Sequence, residues 1–365
     1  MQIKDILDVL EAVAPPHLQE SYDNAGLIVG DPEATLHGVL FCLDSTEPVV
    51  EEAIRKGCNL VVAHHPIVFR GLKRLNGATY VERTVIQAIR NDIALYAIHT
   101  NLDNVHSGVN GRIADQLGLQ NQCILSEKEH TLKKLFTFVP IDHAAKVRNA
   151  LFEAGGGQIG NYSECSFNAD GTGTFRAGEG AKPFVGQLNE RHSEPEIKLE
   201  LVFPAHLQQN MIRALRAAHP YEEVAFDVVA LANPHSAIGS GVIGELPTPL
   251  SETEFLKKVK SVFGTPVIRH TAFSGQPVKK VAVCGGAGSF LISKALARGA
   301  DAYLTADMKY HEFFDANDRL LVADLGHYES EQFTIGLLEE VLAKKFPTFA
   351  VLKTEVETNP VRYFS

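Results

Sequence analysis

Two adjacent histidines stand at the end of a short apolar run, in residues 60–66 with the sequence LVVAHHP. The apolar residues predict a buried β-strand, which Pro66 ends because proline has no N–H to donate to a neighbouring strand. Open α/β sheets bind their ligands at the carboxyl ends of strands, where His64 and His65 would lie. Adjacent side chains on an extended chain point to opposite sides, so the pair suits two metal ions better than one. Taken alone, the pair is also compatible with partly buried, hydrogen-bonded histidines that bind nothing.

Two other strand-like runs end in the same kinds of residue. They are residues 93–98, followed by His99 and Asp103, and residues 320–323, followed by His327 and Glu331. If the chain is already helical at His327, then His327 and Glu331 share one face of that helix, because they are four positions apart. Three strand ends that carry histidines and carboxylates predict a metal site.

The ligand types restrict which metals fit. A site of histidines and carboxylates suits two divalent ions of Zn, Fe, Mn, Co or Ni, whereas Ca prefers oxygen alone and Cu(I) prefers sulfur. Two ions about 3.5–4 Å apart, bridged by a carboxylate and a water, would make that water a nucleophile at neutral pH. Glu331 can bridge because a carboxylate has two oxygens. His99 is a candidate for a supporting hydrogen bond, with direct coordination as the alternative.

Composition indicates a globular protein of two or three domains, since the chain has 365 residues, of which 45% are hydrophobic and 21% charged. Five scattered cysteines without a CxxC pair argue against disulfides or a thiolate zinc site and favour a reducing cytosol. The formal net charge of −10 argues against non-specific binding to nucleic acid or an anionic membrane. No signal peptide or transmembrane run is visible, so we predict a cytoplasmic protein.

Strands and helices alternate outside the middle of the chain, which indicates an α/β fold. We predict strands at 39–43, 60–63, 93–98, 281–284, 302–305, 320–323 and 351–355, with helices that include 80–91 and 251–263. Candidate ligands lie on both sides of the middle segment. Residues 1–127 and 234–365 should therefore build one discontinuous domain with mixed, largely parallel sheets.

The middle segment, residues 128–233, follows a different order. It reads as strand, helix, two strands, helix and strand, with a hairpin at residues 164–176 about Gly171 and Gly173. The order β-α-β-β-α-β is that of a ferredoxin-like α+β module. We therefore predict an inserted domain at 128–233.

Three further motifs carry polar groups. Residues 285–289 (GGAGS) follow a strand and could cradle an anion with backbone N–H groups, although a tight turn without a ligand explains them equally well. Asp307, Lys309, Tyr310 and His311 could handle a substrate. Residues 219–223 (HPYEE) more simply form a structured turn.

These motifs together resemble the NIF3 family, also called DUF34 and GTP cyclohydrolase 1 type 2 homologues. The resemblance covers nearly the whole chain and rests on five segments in a specific order and spacing. They are residues 22–27 (YDNAGL), 63–66 (AHHP), 99–103 (HTNLD), 219–223 (HPYEE) and 326–331 (GHYESE). Two departures, Tyr22 in place of a common Trp and Ala306 in place of a common Gly, touch no predicted ligand.

The resemblance implies a NIF3-like α/β core with a two-metal site, in the long form with a PII/CutA-like insert. It implies His65 and Asp103 on one metal, His64 and His327 on the other, and Glu331 as the bridge. It also implies a ring-shaped homohexamer whose metal sites face an internal cavity.

The function we predict is that of a metal-dependent hydrolase acting on a nucleotide-like substrate. For GTP, the attack would fall on C8 of the purine, with ring opening and loss of formate. The alternative is a non-catalytic regulatory or metal-handling protein that senses a small molecule through its insert. Nucleic-acid binding through the hole of a ring is disfavoured by the acidic charge.

Overall fold

The computed structural model describes residues 1–347, 349 and 351–364. Their contacts divide the chain into two compact units. The middle unit is Lys128–His235, and the core unit combines Met1–Glu127 with the residues from Ser236 onward.

In the core unit, helices and strands alternate before residue 128 as the sequence predicts. The elements are α1 (Ile3–Val13), β1 (Gly26–Val29), β2 (Val39–Asp44), α2 (Glu47–Lys56), β3 (Leu60–His65), α3 (Tyr80–Arg90), β4 (Ala94–Ala97), α4 (Thr100–Asp103), α5 (Val109–Leu117) and β5 (Gln120–Glu127). Local sequence sets several of these boundaries. Helix α2 has Pro48 in its first turn and ends at Gly57, which takes the left-handed conformation at φ 70°.

The middle unit follows the order β-α-β-β-α-β. Its elements are β6 (Leu132–Pro140), α6 (Ala144–Glu153), β7 (Phe167–Arg176), β8 (Arg191–Pro204), α7 (Gln208–Ala218) and β9 (Phe226–Ala230). The strands form an antiparallel sheet in the order β7-β8-β6-β9. Both helices pack on one face of this sheet, against a core that includes Leu135, Leu199 and Phe203.

The hairpin predicted about Gly171 and Gly173 is wrong. Both glycines lie inside the continuous strand β7, which pairs with β8 over its whole length. The connection between β7 and β8 lies later, at residues 177–190. A Cβ on Gly173 would lie 2.1 Å from Oε2 of Glu196, so this glycine makes room for a side chain of β8 and does not turn the chain.

The core unit resumes after the middle unit and completes two sheets. The remaining elements are β10 (Gly239–Leu250), α8 (Glu252–Phe263), β11 (Arg269–His270), β12 (Val278–Ala287), α9 (Ile292–Ala297), β13 (Ala302–Ala306), β14 (Leu321–Asp324), α10 (His327–Glu331), α11 (Thr334–Lys345) and β15 (Val351–Lys353). Short 3-10 helices occupy Pro16–Leu18, Ile141–His143, Ala205–Leu207, Ser289–Leu291 and Tyr310–Ala316.

The first sheet of the core unit has the order β1-β4-β3-β2-β15. Every pairing in it is parallel except β1 with β4. The second sheet has the order β11-β14-β13-β12-β10-β5, and only the β12–β13 and β13–β14 pairings are parallel. The expectation of largely parallel sheets thus holds for the first sheet and is wrong for the second, where β5, β10 and β12 form antiparallel pairs.

The alternation of side chains along the strands explains how the sheets are covered. In β2, Val39 and Phe41 enter the largest core, which also receives side chains from the second sheet and from helices α1, α5, α8 and α11. Leu40 and Cys42 enter a separate core beneath α2 and α3. Strand β2 is therefore apolar on both faces, as expected for a sheet with helices on both sides.

Within the part of the chain that the structure describes, no helix combines the length and the hydropathy needed to cross a membrane.

Candidate metal centre

A cluster of histidines and carboxylates lies where the parallel strands of both sheets end. Strand β3 of the first sheet ends in His64 and His65, and β4 is followed by His99 and Asp103. Strand β14 of the second sheet is followed by α10, which carries His327 and Glu331. The carboxyl ends of parallel strands are the usual ligand sites of α/β sheets, and here two sheets contribute to one cluster.

The two adjacent histidines are each held by a hydrogen bond at Nδ1. His64 is completely buried, and its Nδ1 lies 2.9 Å from the carbonyl oxygen of Ile98. The Nδ1 of His65 lies 2.8 Å from Oδ1 of Asp44, which is its register partner at the end of β2. Nδ1–H donation leaves Nε2 of both rings free to accept a metal ion.

Helix α10 begins at His327, directly after Gly326 at φ 90°, so His327 and Glu331 occupy positions i and i+4 as predicted. The Nε2 of His327 lies 3.1 Å from Oε2 of Glu331, and its Nδ1 lies 2.8 Å from Oδ2 of Asp307. His327 is therefore oriented by a carboxylate in the same way as His65.

Two atoms of the cluster lack a hydrogen-bond partner although they are buried. They are Nε2 of His64 and Oδ1 of Asp103, which face each other at 3.7 Å. An unpaired buried polar atom costs about 1–3 kcal/mol, so a facing pair calls for a shared partner. Two ligand atoms at 2.0–2.2 Å from a tetrahedral zinc ion would be about 3.4 Å apart. A divalent cation therefore fits between His64 and Asp103 with little movement.

The distances between the candidate ligand atoms divide them into two groups. His65 and His327 bring their Nε2 atoms to 3.2 Å, whereas His64 lies near Asp103. Oε2 of Glu331 lies 2.9 Å from Nε2 of His65, 3.1 Å from that of His327 and 3.7 Å from that of His64. The geometry therefore groups His64 with Asp103, groups His65 with His327, and places Glu331 between the two groups.

His99 lies beside the cluster. Its Nδ1 is 2.7 Å from Oδ1 of Asp23, and its ring centroid lies 5.3 Å from that of His64. Among the described residues, one ligand atom each of His64, His65 and His99 lie within 4.8 Å of one another, and the same holds for His65, His327 and Glu331. His99 therefore has the position required by either of the roles considered for it.

Without metal, the cluster retains protons. Burial acts to lower the pKa of His327, but Glu331 and Asp307 outweigh it and raise that pKa to about 11. Hydrogen bonds to Asp44 and Glu331 likewise overcome the effect of burial and raise the pKa of His65 to about 9. Burial, reinforced by the charge of Glu331, raises the pKa of Asp103. A metal ion must displace these protons, so metal binding should strengthen as the pH rises.

The glycine segment at residues 285–289 is not an anion cradle. Gly285 and Gly286 belong to strand β12, and their N–H groups donate to Oδ1 of Asn110 and Oγ of Ser330. The N–H of Gly288 donates to Oγ1 of Thr305. Because these donors are satisfied inside the protein, none of them is available to a phosphate.

Gly286 serves the cluster by its small size. A Cβ there would lie 2.4 Å from Oε1 of Glu331 and 3.3 Å from Nε2 of His327, and the residue has φ 60°. The glycine thus lets β12 pass directly beside the two ligands of α10.

Two polar motifs from the sequence remain, residues 307–311 and residues 219–223, and only the first contributes to the cluster. Asp307 joins the cluster through His327. Lys309, Tyr310 and His311 are exposed, with Lys309 directly before the 3-10 helix that the other two begin. In the middle unit, Nδ1 of His219 accepts from the N–H of Tyr221, which leaves Nε2 to donate to the carbonyl oxygen of Phe138. Residues 219–223 thus form the structured turn that the sequence favoured.

Sequence reasoning missed two carboxylates that orient histidines. Asp44 ends strand β2, so it carried the same strand-end signal that identified the other residues. Asp23 lies in a loop, and only its place in the YDNAGL segment marked it. Burial acts to raise the pKa of Asp23, but hydrogen bonds from His99 and Thr100 lower it to about 2, so this carboxylate stays charged.

A cavity of about 580 Å³ opens onto the cluster. His65, His99 and His327 line it together with acidic residues, aromatic residues and one guanidinium, namely Asp44, Asp307, Asp324, Glu329, Phe69, Tyr328, Tyr363 and Arg269. Arg269 binds Oδ2 of Asp324 at 3.0 Å and the carbonyl oxygen of Met308 at 2.8 Å. A small molecule can therefore reach the histidines from solvent.

The fold and the cluster together define an α/β protein with a candidate metal centre at the strand ends of two sheets. A family model described as Duf34/NIF3 (NGG1p interacting factor 3) matches residues 1–360. The chain therefore belongs to the Duf34/NIF3 family.

Curated relatives match over the full length. A protein of Halalkalibacterium halodurans named "GTP cyclohydrolase 1 type 2 homolog" is 38% identical over 363 residues, which cover 98% of each chain. A protein of Bacillus subtilis with the same name is 36% identical and covers 99% of this chain and 98% of its own. The crystal structure of a Bacillus cereus protein related to NIF3 matches with a TM-score of 0.83 at 36% identity, covering 100% of this chain and 99% of the other.

Proposed function

We propose that this protein holds two divalent metal ions and hydrolyses a nucleotide-like substrate. The observation that carries the proposal is the facing pair of buried, unpaired atoms, Nε2 of His64 and Oδ1 of Asp103, inside a cluster with three further ligands. His64 and Asp103 would hold one ion, and His65 and His327 the other. Glu331 would bridge the two, because its carboxylate lies between both groups.

The ions, when bound, would supply Lewis acidity and lower the pKa of water enough to provide a nucleophile at neutral pH. The chain's own residues prepare the site for this chemistry. Asp44, Asp307 and the carbonyl of Ile98 fix the tautomers of three histidines, so each Nε2 faces the cluster. His99, kept beside a charged Asp23, is placed to take or return a proton at the cavity wall.

The substrate class follows from the cavity and from the relatives. A volume of about 580 Å³ suits a nucleotide-sized molecule, and Phe69 and Tyr363 offer aromatic faces for a base. Arg269 is the cationic side chain of an otherwise acidic lining, and a phosphate would have to share it with Asp324, which it already binds. The name of the relatives points to GTP, for which hydrolysis at C8 would open the purine ring and release formate.

The direct test is incubation of metal-loaded protein with GTP and related nucleotides, with product detection by mass spectrometry. We expect turnover in the parent protein and none in a His64→Ala, His65→Ala double variant of equal thermal stability. Equal turnover in both proteins, or none in either, would remove the hydrolase proposal for those substrates.

A regulatory or metal-handling role is the second candidate. It draws support from the middle unit, whose element order is that of ferredoxin-like domains and which we propose to be an inserted domain of the PII/CutA kind at about 128–233. Recovery of unchanged nucleotide after binding, with a raised unfolding temperature, would favour this role over hydrolysis.

We further propose a ring-shaped homohexamer in the cytoplasm, with the metal centres facing an internal cavity. Sedimentation of the metal-loaded protein measures the assembly. A mass near six times 39.8 kDa is expected, and a monomer would refute the ring.

A further inference from the structure

The middle unit contains a second cavity, with a volume of about 730 Å³. None of the residues that line it belongs to the candidate metal cluster. Its floor is the face of the sheet opposite to helices α6 and α7, formed by strands β7 and β8. Its walls come from residues 221–223, and its roof from the connection between β7 and β8, which includes Pro183 and Phe184.

Three aromatic residues, Phe175, Phe184 and Tyr221, line this cavity, and we call them the cage. The centroid of the Tyr221 ring lies 6.1 Å from that of Phe175, with the planes at 60°, and 6.2 Å from that of Phe184, with the planes at 48°. Parallel rings would accept a flat heterocycle between them, whereas tilted rings present several π faces to one point. Such faces attract a cation held about 6 Å or less from each centroid.

A buried carboxylate completes the cage. Glu196 lines the cavity at 7% exposure, and its Oε1 accepts a hydrogen bond from the Tyr221 hydroxyl at 2.9 Å. Among the described residues no lysine or arginine lies within ion-pair distance of Glu196. The nearby Lys198 contacts Glu200 at 2.8 Å instead. A buried carboxylate is stabilised by a partner of opposite charge, so Glu196 is a group against which a cationic ligand can pack.

The backbone around the cage is adapted to this arrangement. Gly173 leaves space for the Glu196 carboxylate, since a Cβ would lie 2.1 Å from Oε2. Within the roof, a bridge joins Ala177 to Leu188, and the N–H of Lys182 connects the roof to the wall by donating to Oε1 of Glu222 at 2.7 Å. Phe184 in this roof is 52% exposed, which leaves apolar surface for a ligand to cover.

We propose that this cavity binds an organic ammonium cation, with the ammonium group among the three rings and against Glu196. The volume exceeds that of a simple alkylammonium, so the natural ligand carries a further body that extends beneath the roof. The charged side chains that line the cavity are four carboxylates, Asp170, Glu196, Glu222 and Glu223, and two cations, Arg176 and Lys198, so acidic groups outnumber basic ones. This inference is independent of the proposed hydrolysis, because its residues all belong to the middle unit.

The probe for the test is choline, compared with its neutral isostere 3,3-dimethylbutan-1-ol, titrated into the full-length protein and followed by calorimetry or ligand-observed NMR. The two molecules have nearly the same shape and differ in charge. We expect choline to bind at least about tenfold more tightly, because cation–π attraction and the Glu196 charge act on it alone. Equal binding of the two molecules, or binding of neither, overturns the proposal.

Matched variants locate the site. Glu196→Gln and Phe184→Leu should each weaken choline binding about tenfold or more, whereas Glu153→Gln, exposed on α6 of the same unit, and Phe273→Leu, exposed in the core unit, should not. Retained binding in Glu196→Gln overturns the proposal.

Two glycines of one strand provide a test that does not remove a contact residue. Gly173→Ala should displace Glu196 and abolish choline binding, whereas Gly171→Ala should preserve it, because a Cβ there lies no closer than 3.8 Å to other atoms. The unfolding temperature of both variants is measured alongside. If both folded variants lose choline binding, or if both retain it, the proposed role of Glu196 is contradicted.

Discussion

At the scale of single residues, the candidate ligands are oriented by carboxylates that lie outside the ligand set. His65 and His327 each carry an aspartate on Nδ1, and the Nδ1 of His64 faces a backbone carbonyl. Each partner fixes both the tautomer and the rotation of its ring. The consequence is that all three Nε2 atoms converge on Glu331 before any metal arrives.

Replacing the bridge should decide how many ions the site holds. Glu331→Gln keeps the shape of the side chain but removes the charge that offsets the repulsion between two cations. We expect the metal content per chain to fall from about two to one or fewer. Elemental analysis of the purified variant measures this, with Glu340→Gln, a half-exposed glutamate paired with Arg112, as control. An unchanged content of two in Glu331→Gln would refute the bridge.

Replacement of Asp44 should change the affinity for metal more than the number of ions bound at saturation. In Asp44→Asn the amide no longer supplies a charged acceptor to Nδ1 of His65, so the ring is held less firmly. We expect metal affinity to fall about 10–100-fold, with the same content at saturation. Competition against a chelator gives the affinity, and Asp8→Asn, exposed on α1, serves as control. Equal affinities of the two variants would show that Asp44 does not support the site.

How far the site could be predicted differs from residue to residue. The strand-end pattern identified His64, His65, Asp103, His327 and Glu331, and the structure brings these residues together. The strand-end pattern did not determine which histidine faces which carboxylate, because these contacts depend on how the two sheets of the core unit pack. Asp44 was overlooked although it ends a strand, since a lone aspartate at a strand end is common in any α/β protein.

At the scale of elements, two glycine motifs were interpreted as turns or cradles and have a different role. Gly173 and Gly286 both lie within strands and leave space for a glutamate from a neighbouring element. Glycine in a strand indicates either a turn or a close approach, and sequence alone does not separate these cases. Long-range packing decides between them.

A pair of alanine substitutions separates close approach from backbone strain. Gly286 and Gly118 both adopt left-handed conformations, at φ 60° and 69°, but only at Gly286 would an added methyl group lie within 4 Å of other atoms. Both variants should lose about 1–2 kcal/mol of stability from the conformation itself. Only Gly286→Ala should also lose metal, because its methyl group collides with Glu331. Chemical denaturation and metal analysis give the two quantities, and normal metal content in Gly286→Ala would contradict this role.

At the scale of the whole molecule, the chain leaves the core unit and returns to it at two paired strand residues. Strand β5 ends at Glu127, whose register partner Gly239 opens β10. Paired Cα atoms in antiparallel strands are about 4.5–5.5 Å apart, so a short linker can replace what lies between.

Deletion of residues 128–233 should therefore leave a core unit that still folds. We expect a protein with a Gly/Ser linker in place of residues 128–233 to fold and to retain its metal content. Circular dichroism and elemental analysis test this, and Glu331→Gln within the shortened protein is the control that should lose metal. A folded but metal-free core would mean that the middle segment is needed to build the site.

The cluster is completed late in protein synthesis, because Glu331 follows His65 by 266 positions. At 5–20 residues per second, a ribosome needs roughly 10 to 50 s to cover that distance. During this interval the nascent chain carries His64, His65 and Asp103 without α10. An ion captured early would be held by three of the five candidate ligands and could leave again. Any metal ion that the finished protein retained would therefore come from the supply present once Glu331 has been made.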